Sequence, residues 1–132
     1  ETKGVPVIGF GTNELPAFYT RQSGYRVDYR IDTPEELASV FKASIEMGMK
    51  SGMLVTNPIP EAYAMPRAVI DSAIDQAIHE CNEKGIKGKE TTPFLLARVA
   101  ELTGGNSLAS NIQLVYNNAK VAAQTAAAYT TL

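Results

Sequence analysis

The chain has 132 residues, 45% of them hydrophobic and 20% charged, the composition of one compact globular domain with one core. A formal net charge of −2 gives no electrostatic ground for binding a nucleic acid polymer or an anionic membrane, and no segment approaches the roughly 18 apolar residues of a membrane span. The single cysteine, Cys81, excludes an internal disulfide and fits a reducing compartment, while the single histidine, His79, leaves no Ser/His/Asp or Cys/His set to assemble and no metal site on this chain.

In chain order, the opening "ETKGVPVIGF" has no initiator Met and no signal-peptide pattern, and suggests a chain cut from something longer. Within it, Val5 to Phe10 is a nearly continuous apolar run bounded by glycines, as in a strand covered on both faces. "GTNELPAFYTRQSG" reads as a long ordered loop carrying two aromatics, and "YRVDYRI" as an edge strand. A helix follows in "DTPEELASVFKASIEMG": Thr33 caps it, Pro34 suits its first turn, Glu36 completes a capping box and Gly48 ends it. Met53 to Thr56 forms a second buried strand that runs into Asn57-Pro58-Ile59-Pro60.

From Pro66 to about Lys84, apolar residues recur at helical spacing with Cys81 on the same stripe, and Gly85 stops the helix. After the solvated turn "KGIKGKE", Thr92 and Pro93 start a third helix that the glycine pair Gly104 and Gly105 closes. The fourth helix takes Asn106 or Ser107 as its cap and runs through "LASNIQLVYNNAKVAAQTAA". The whole is an α/β chain with a largely parallel sheet, four main helices and few strands, treated as a single domain over residues 1–132. Two or three strands are too few to cover four amphipathic helices, so the rest of the sheet is expected from another chain or a missing half.

Two features point to a site. In open α/β sheets ligands gather at the carboxyl ends of strands, and both strand exits carry polar groups: Asn13 and Glu14 after the first strand, Asn57 and Glu61 after the second. Asparagines in such loops also bond local backbone in turns. On the fourth helix Leu108, Ile112, Val115, Ala119, Ala122 and Ala126 share one face, widened by Leu114 and Val121. Asn111 and Asn118 project from inside that arc, whereas Asn117 lies outside it, facing water. A buried amide loses hydration worth roughly 1–3 kcal/mol unless partners replace it. Asn111 and Asn118 therefore either bond neighbouring backbone or line a polar pocket.

The segments "GVPVIGFGTNELPAFYTRQSG", "NPIPEAYAM" and "GIKGKETTPFLLARVAELTGGNSLASNIQLVYNNA" closely resemble, in the same order, the carboxyl-terminal part of the pseudouridine-5'-phosphate glycosidase family, which includes the indigoidine-cluster A-type proteins. The resemblance implies part of an α/β/α sandwich from a cytoplasmic, homotrimeric enzyme more than twice this length. Such an enzyme reversibly cleaves the C–C glycosidic bond of pseudouridine 5'-phosphate to uracil and ribose 5-phosphate. It implies a divalent metal, usually manganese, and a Schiff-base lysine, an acid/base glutamate and a metal-holding aspartate, all in the amino-terminal portion that this chain lacks. The chain alone is accordingly expected to be inactive. The family's functional asparagine near the carboxyl end matches Asn111, with Asn118 as the lesser match. Weaker substrate-binding candidates are Asn118, Glu14, Asn13 and Asn57. The alternative is a catalytically silent binding or scaffold domain of the same fold.

Overall fold

The computed structural model describes residues 4–132; of the apolar opening discussed above, residues 1–3 lie outside it. Three strands, β1 (Val7–Phe10), β2 (Tyr29–Ile31) and β3 (Leu54–Thr56), form one sheet in the order β2-β1-β3 with both pairings parallel. Among the described residues there are four α-helices, α1 (Pro34–Glu46), α2 (Arg67–Glu83), α3 (Thr91–Leu102) and α4 (Asn106–Tyr129), with single 3-10 turns at Glu61–Tyr63 and Gly88–Glu90. The expected α/β class, parallel sheet and four helices are thus all present. The strands are shorter than their apolar runs, with Val5 and Pro6 ahead of β1 and Met53 ahead of β3.

Alternation along β1 sorts the sheet faces. Ile8 packs with Ile31 and Leu37 in a buried cluster joined by Phe10, Met53 and Val55, so α1 covers this face. Gly9 points the other way, under the loop that leads to β2. A Cβ there would collide with the Thr12 carbonyl oxygen and lie 2.9 Å from Val27 Cγ2. That close approach explains a glycine in the central strand. The opposite face is otherwise thinly covered. Leu54 is 51% exposed, so β3 is not the fully buried strand its composition suggested.

Helix punctuation follows the sequence closely. Thr33 accepts the Glu36 N–H at 3.2 Å, while the Glu36 carboxylate reaches the Asp32 N–H, one residue ahead of the cap. Helices α1, α2 and α3 each end in the same glycine motif. Gly48, Gly85 and Gly104 donate to the Ile45, Asn82 and Glu101 carbonyls, and the next residue of each donates to Ser44, Cys81 and Ala100. The cap of α4 differs from expectation. Gly105, at φ 86°, both completes the α3 ending and caps α4, so Asn106 is already helical and no side chain occupies the cap. Thr103 takes over that duty by accepting the Ser107 N–H at 3.2 Å.

The apolar contacts divide into two clusters. One is the sheet with α1; the other joins α2 and α3 through Ile70, Ala73, Ala77 and Val99 and includes Tyr19 from the first loop. Cys81 is buried, as its stripe indicated, and His79 is exposed beside Glu83. Arg98 of α3 clasps Glu80 of α2 with two hydrogen bonds, at 2.7 and 2.9 Å, and holds Glu101 at 2.7 Å. These contacts keep the Glu80 carboxyl below its usual range and the Arg98 guanidinium charged.

Two outcomes follow. Gly9→Ala should destabilise the fold by about 1–3 kcal/mol, read from chemical unfolding, because the Thr12 backbone cannot yield like a flexible side-chain tip. For the clasp, a carboxyl depressed in the folded state stabilises above its unfolded pKa and loses that contribution as pH falls through the lower folded value. The melting-temperature gap between wild type and Glu80→Gln should therefore be present at pH 7 and shrink below about pH 4. A gap independent of pH would remove the charge from the account.

Candidate functional site

All three strands run the same way, so the exits of β1 and β3 open at one edge of the sheet. The first loop is ordered by its own polar groups. Glu14 Oε2 accepts the Ser23 and Gly24 N–H groups at 3.2 and 3.0 Å, and the backbone pairs Leu15 with Tyr25 and Val27 with Asn13. Phe18 takes φ 64°, a strained value for a bulky residue, and its ring meets Tyr19 edge-on at 4.6 Å. The turn drives Tyr19 inward to 5% exposure while Phe18 stays 43% exposed, so only one of the two loop aromatics is buried. Burial pushes the Tyr19 phenol up, partly offset by the nearby Ser107 hydroxyl. Ser107 Oγ is itself buried without closing a hydrogen bond of good geometry.

The segment after β3 is held from two sides. Arg21 donates to the Ile59 carbonyl, and Met65 donates to the Tyr19 carbonyl at 3.0 Å. From α4, Ser110 Oγ donates to the Tyr63 carbonyl at 2.8 Å and Asn117 Nδ2 to the Pro58 carbonyl at 3.3 Å. Asn117, expected to face water, is therefore a half-buried clamp on the β3 exit. The cause is the orientation of α4. Its buried residues are Ser107, Ser110, Leu114 and Val121, so the edge of the arc that Leu114 and Val121 widened turns inward together with two serines, and the centre of the arc turns out. Within that stripe Leu108, Ile112 and Val115 are 54%, 44% and 57% exposed.

Two clefts border this edge. A polar one of about 590 Å³ is walled by Asn13, Glu14, Glu61, Arg21, Arg30 and Arg67. A second, of about 770 Å³, runs between α1 and α4 over Met53 and Val55, with Asn57 and Asn118 in its wall. Asn57 Nδ2 donates to Asn118 Oδ1 at 3.1 Å, so this amide finds a helix side chain rather than local turn backbone. Asn111, half-buried, lies one residue beyond Ser110 and in the wall of neither cleft. The candidates thus gather as Asn13 with Glu14 and Asn57 with Asn118, with Asn111 apart on the same helix.

Sequence reasoning missed the three arginines, which come from the first loop, from β2 and from the start of α2. Their guanidinium forks suit carboxylate or phosphate oxygens. Arg30 also pairs with Asp32 at 2.7 Å and Arg67 with Asp71 at 3.3 Å. Only their position in a loop after a strand, within a strand and in the first turn of a helix could have signalled the cluster. Among the described residues, no three His, Cys, Asp or Glu side chains gather as a metal-binding group. No helix of the described residues is long and apolar enough to cross a membrane.

A parallel α/β sheet whose polar loops share one edge, with α4 clamped across that edge, defines part of an open α/β fold. The chain belongs to the family described as indigoidine synthase A like protein, whose sequence model matches residues 1–128. It is 58% identical over 98% of its length to a pseudouridine-5'-phosphate glycosidase of Hahella chejuensis, covering 43% of that protein. With a pseudouridine-5'-phosphate glycosidase of Clostridium botulinum the identity is 62% over 96% of the chain and 41% of the relative. Among solved structures, it is similar to a prealnumycin C-glycosynthase in complex with ribulose 5-phosphate, at TM-score 0.85 and 32% identity over 98% of this chain and 43% of that one. An indigoidine synthase A-like protein of Thermotoga maritima matches at TM-score 0.81 and 38% identity, over 95% of this chain and 41% of that one. The chain therefore spans about two fifths of the length of these relatives and matches their carboxyl-terminal part.

The loop geometry carries its own test. Glu14→Ala removes the acceptor of two backbone N–H groups and should cost about 1–3 kcal/mol of stability, whereas Asn13→Ala, whose backbone carbonyl makes the contact to Val27, should cost less. Equal unfolding midpoints for Glu14→Ala and wild type would strip Glu14 of its structural duty.

Proposed function

We propose that this chain is the carboxyl-terminal part of a pseudouridine-5'-phosphate glycosidase, reversibly cleaving pseudouridine 5'-phosphate to uracil and ribose 5-phosphate. The observation that carries the reading is identity of 58% and 62% to relatives of that name across nearly the whole chain. A C-glycoside has no leaving oxygen to protonate, so the two-carboxylate route of ordinary glycosidases does not suffice. An amine nucleophile that opens the sugar and carries charge as an iminium offers a route. In this reading the lysine, the acid/base glutamate and the aspartate that holds manganese belong to the preceding part of the enzyme. The described residues do not fit a three-ligand metal centre, and the reading gives this chain no part in holding the ion. The same resemblance is the ground for proposing a cytoplasmic homotrimer.

The role left to this chain is positioning. Asn111 and Asn118 lie one heptad apart on α4; Asn118 sits at the β3 exit, steadied by Asn57, and Asn111 follows Ser110, which holds the Tyr63 carbonyl of the segment after β3. A neutral amide both donates and accepts, and so orients a sugar hydroxyl or a uracil edge without adding charge. Asn111 is the proposed substrate contact, with Asn118, Asn57, Asn13 and Glu14 as lesser candidates around the same edge.

In a full-length glycosidase carrying these residues, Asn111→Ala should lower kcat/KM by roughly 10²-fold or more, about 2.7 kcal/mol of transition-state stabilisation, with a smaller change in unfolding midpoint. Asn118→Ala is the internal comparison and should lose less. The 132-residue chain by itself should release no uracil. A stable Asn111→Ala enzyme with wild-type kcat/KM would take Asn111 out of the site, and a full-length protein inert toward pseudouridine 5'-phosphate would instead favour a silent binding domain.

A further inference from the structure

The exposed stripe of α4 has a regular spacing. Leu108, Ile112, Val115, Ala119, Ala122 and Ala126 are separated alternately by four and three residues, the a/d pattern of a helix that packs along another helix. Over its first turns this seam is open, with Leu108, Ile112 and Val115 each close to half exposed or more. The buried face of α4 is made by Ser107, Ser110, Leu114 and Val121, which this chain covers itself. The apolar residues of the seam are left without a partner among the described residues.

We infer that the seam is the bed for an α-helix from the part of the full-length enzyme that precedes these residues. The inference rests on the reading above that this chain is the carboxyl-terminal part of a longer enzyme. Two observations select that occupant. More than half of each longer relative lies outside the matched region, including the solved chain that superposes at TM-score 0.85 over 98% of this one. The positions flanking the seam, Ala109, Asn111, Tyr116, Asn118, Ala123 and Thr125, carry no charge. Helix seams between separate chains usually take partner choice and orientation from charged flanks, whereas a contact fixed within one polypeptide needs none. The alanines at 119, 122 and 126 let the incoming helix approach closely along the carboxyl-terminal half of α4, while Leu108, Ile112 and Val115 supply its apolar knobs.

The seam also says where the site is completed. At 100° per residue, Asn111, Asn118 and Thr125 fall on one line between the seam and the buried face. A helix laid in the seam would run alongside that line, enclosing the amides between the strand exits on one side and the preceding part of the enzyme on the other. The site is then a junction of the two parts, incomplete in either alone.

Thiol labelling tests this without reference to activity, so its failure is separable from failure of the glycosidase reading. Leu108→Cys, Ile112→Cys, Val115→Cys and Lys120→Cys, the last off the seam and exposed, are each placed in a full-length glycosidase carrying this chain. Each is exposed to a maleimide reagent, and adducts are located by peptide mapping. The three seam positions should react at least about 100-fold more slowly than Lys120→Cys, at every protein concentration. Seam positions that react as fast as Lys120→Cys would overturn the inference. So would protection that appears only as concentration rises, because a second copy would then be the cover.

Discussion

Parallel pairing of β2, β1 and β3 governs everything else in this chain. Antiparallel strands joined by hairpins would send their loops to opposite ends, whereas parallel strands send every exit to one. With β1 in the middle, the loop after it and the segment after β3 must leave side by side. The chain fills that edge with Asn13, Glu14, Asn57 and Glu61, and lays the amino-terminal half of α4 across it. The cost is that parallel strands need long connections. One is α1, which crosses behind β1 from β2 to β3; the other is the loop from Gly11 to Asp28, which has no helix and orders itself around the Glu14 carboxylate.

That loop links the edge to the helical part. Tyr19 leaves it to sit among Ile70, Ala73, Ala77 and Val99, and its backbone carbonyl receives the Met65 N–H. Arg21 ties it to Ile59. The strained Phe18 turn is the local cost of aiming Tyr19 inward, offset by the apolar surface the Tyr19 ring removes from water. Candidate site residues on the edge are thus fixed both to the sheet and to the α2–α3 pair.

Local signals made much of this legible in the sequence. Thr33, Pro34, Gly48, Gly85 and Gly104 mark helix ends because caps are chemistry of a few neighbouring residues. The edge placement of β2 and the burial of Cys81 were likewise readable from pattern. The orientation of α4 was not. Its apolar arc is broad, running from Leu114 and Val121 to Ile112, and periodicity alone centred it on Leu108, Ile112 and Val115. The chain turns the smaller-residue face inward, where Ser107 and Ser110 fit against Thr103 and Tyr63 and Asn117 reaches Pro58. Pairings such as Asn57 with Asn118, or the meeting of Arg21, Arg30 and Arg67, join residues far apart in the chain, and no spacing rule encodes them. The residues placed by family resemblance stand on a different footing. The loops that hold them are explained by the physics of this chain, whereas their role is carried by likeness to longer relatives.

The division into two clusters has a consequence for how the molecule breathes. The sheet with α1 and the α2–α3 pair each have their own small core, bridged by α4, which packs along α1 and reaches α3, by Tyr19, and by the backbone around Ile59 and Met65. Two small cores favour local opening of one unit at a time, which amide exchange should resolve into a sheet-centred unit and a helix-hairpin unit. The edge where the candidate asparagines lie is the joint between those units, so the rigidity of that joint, more than the global stability, governs how firmly the amides are held in place.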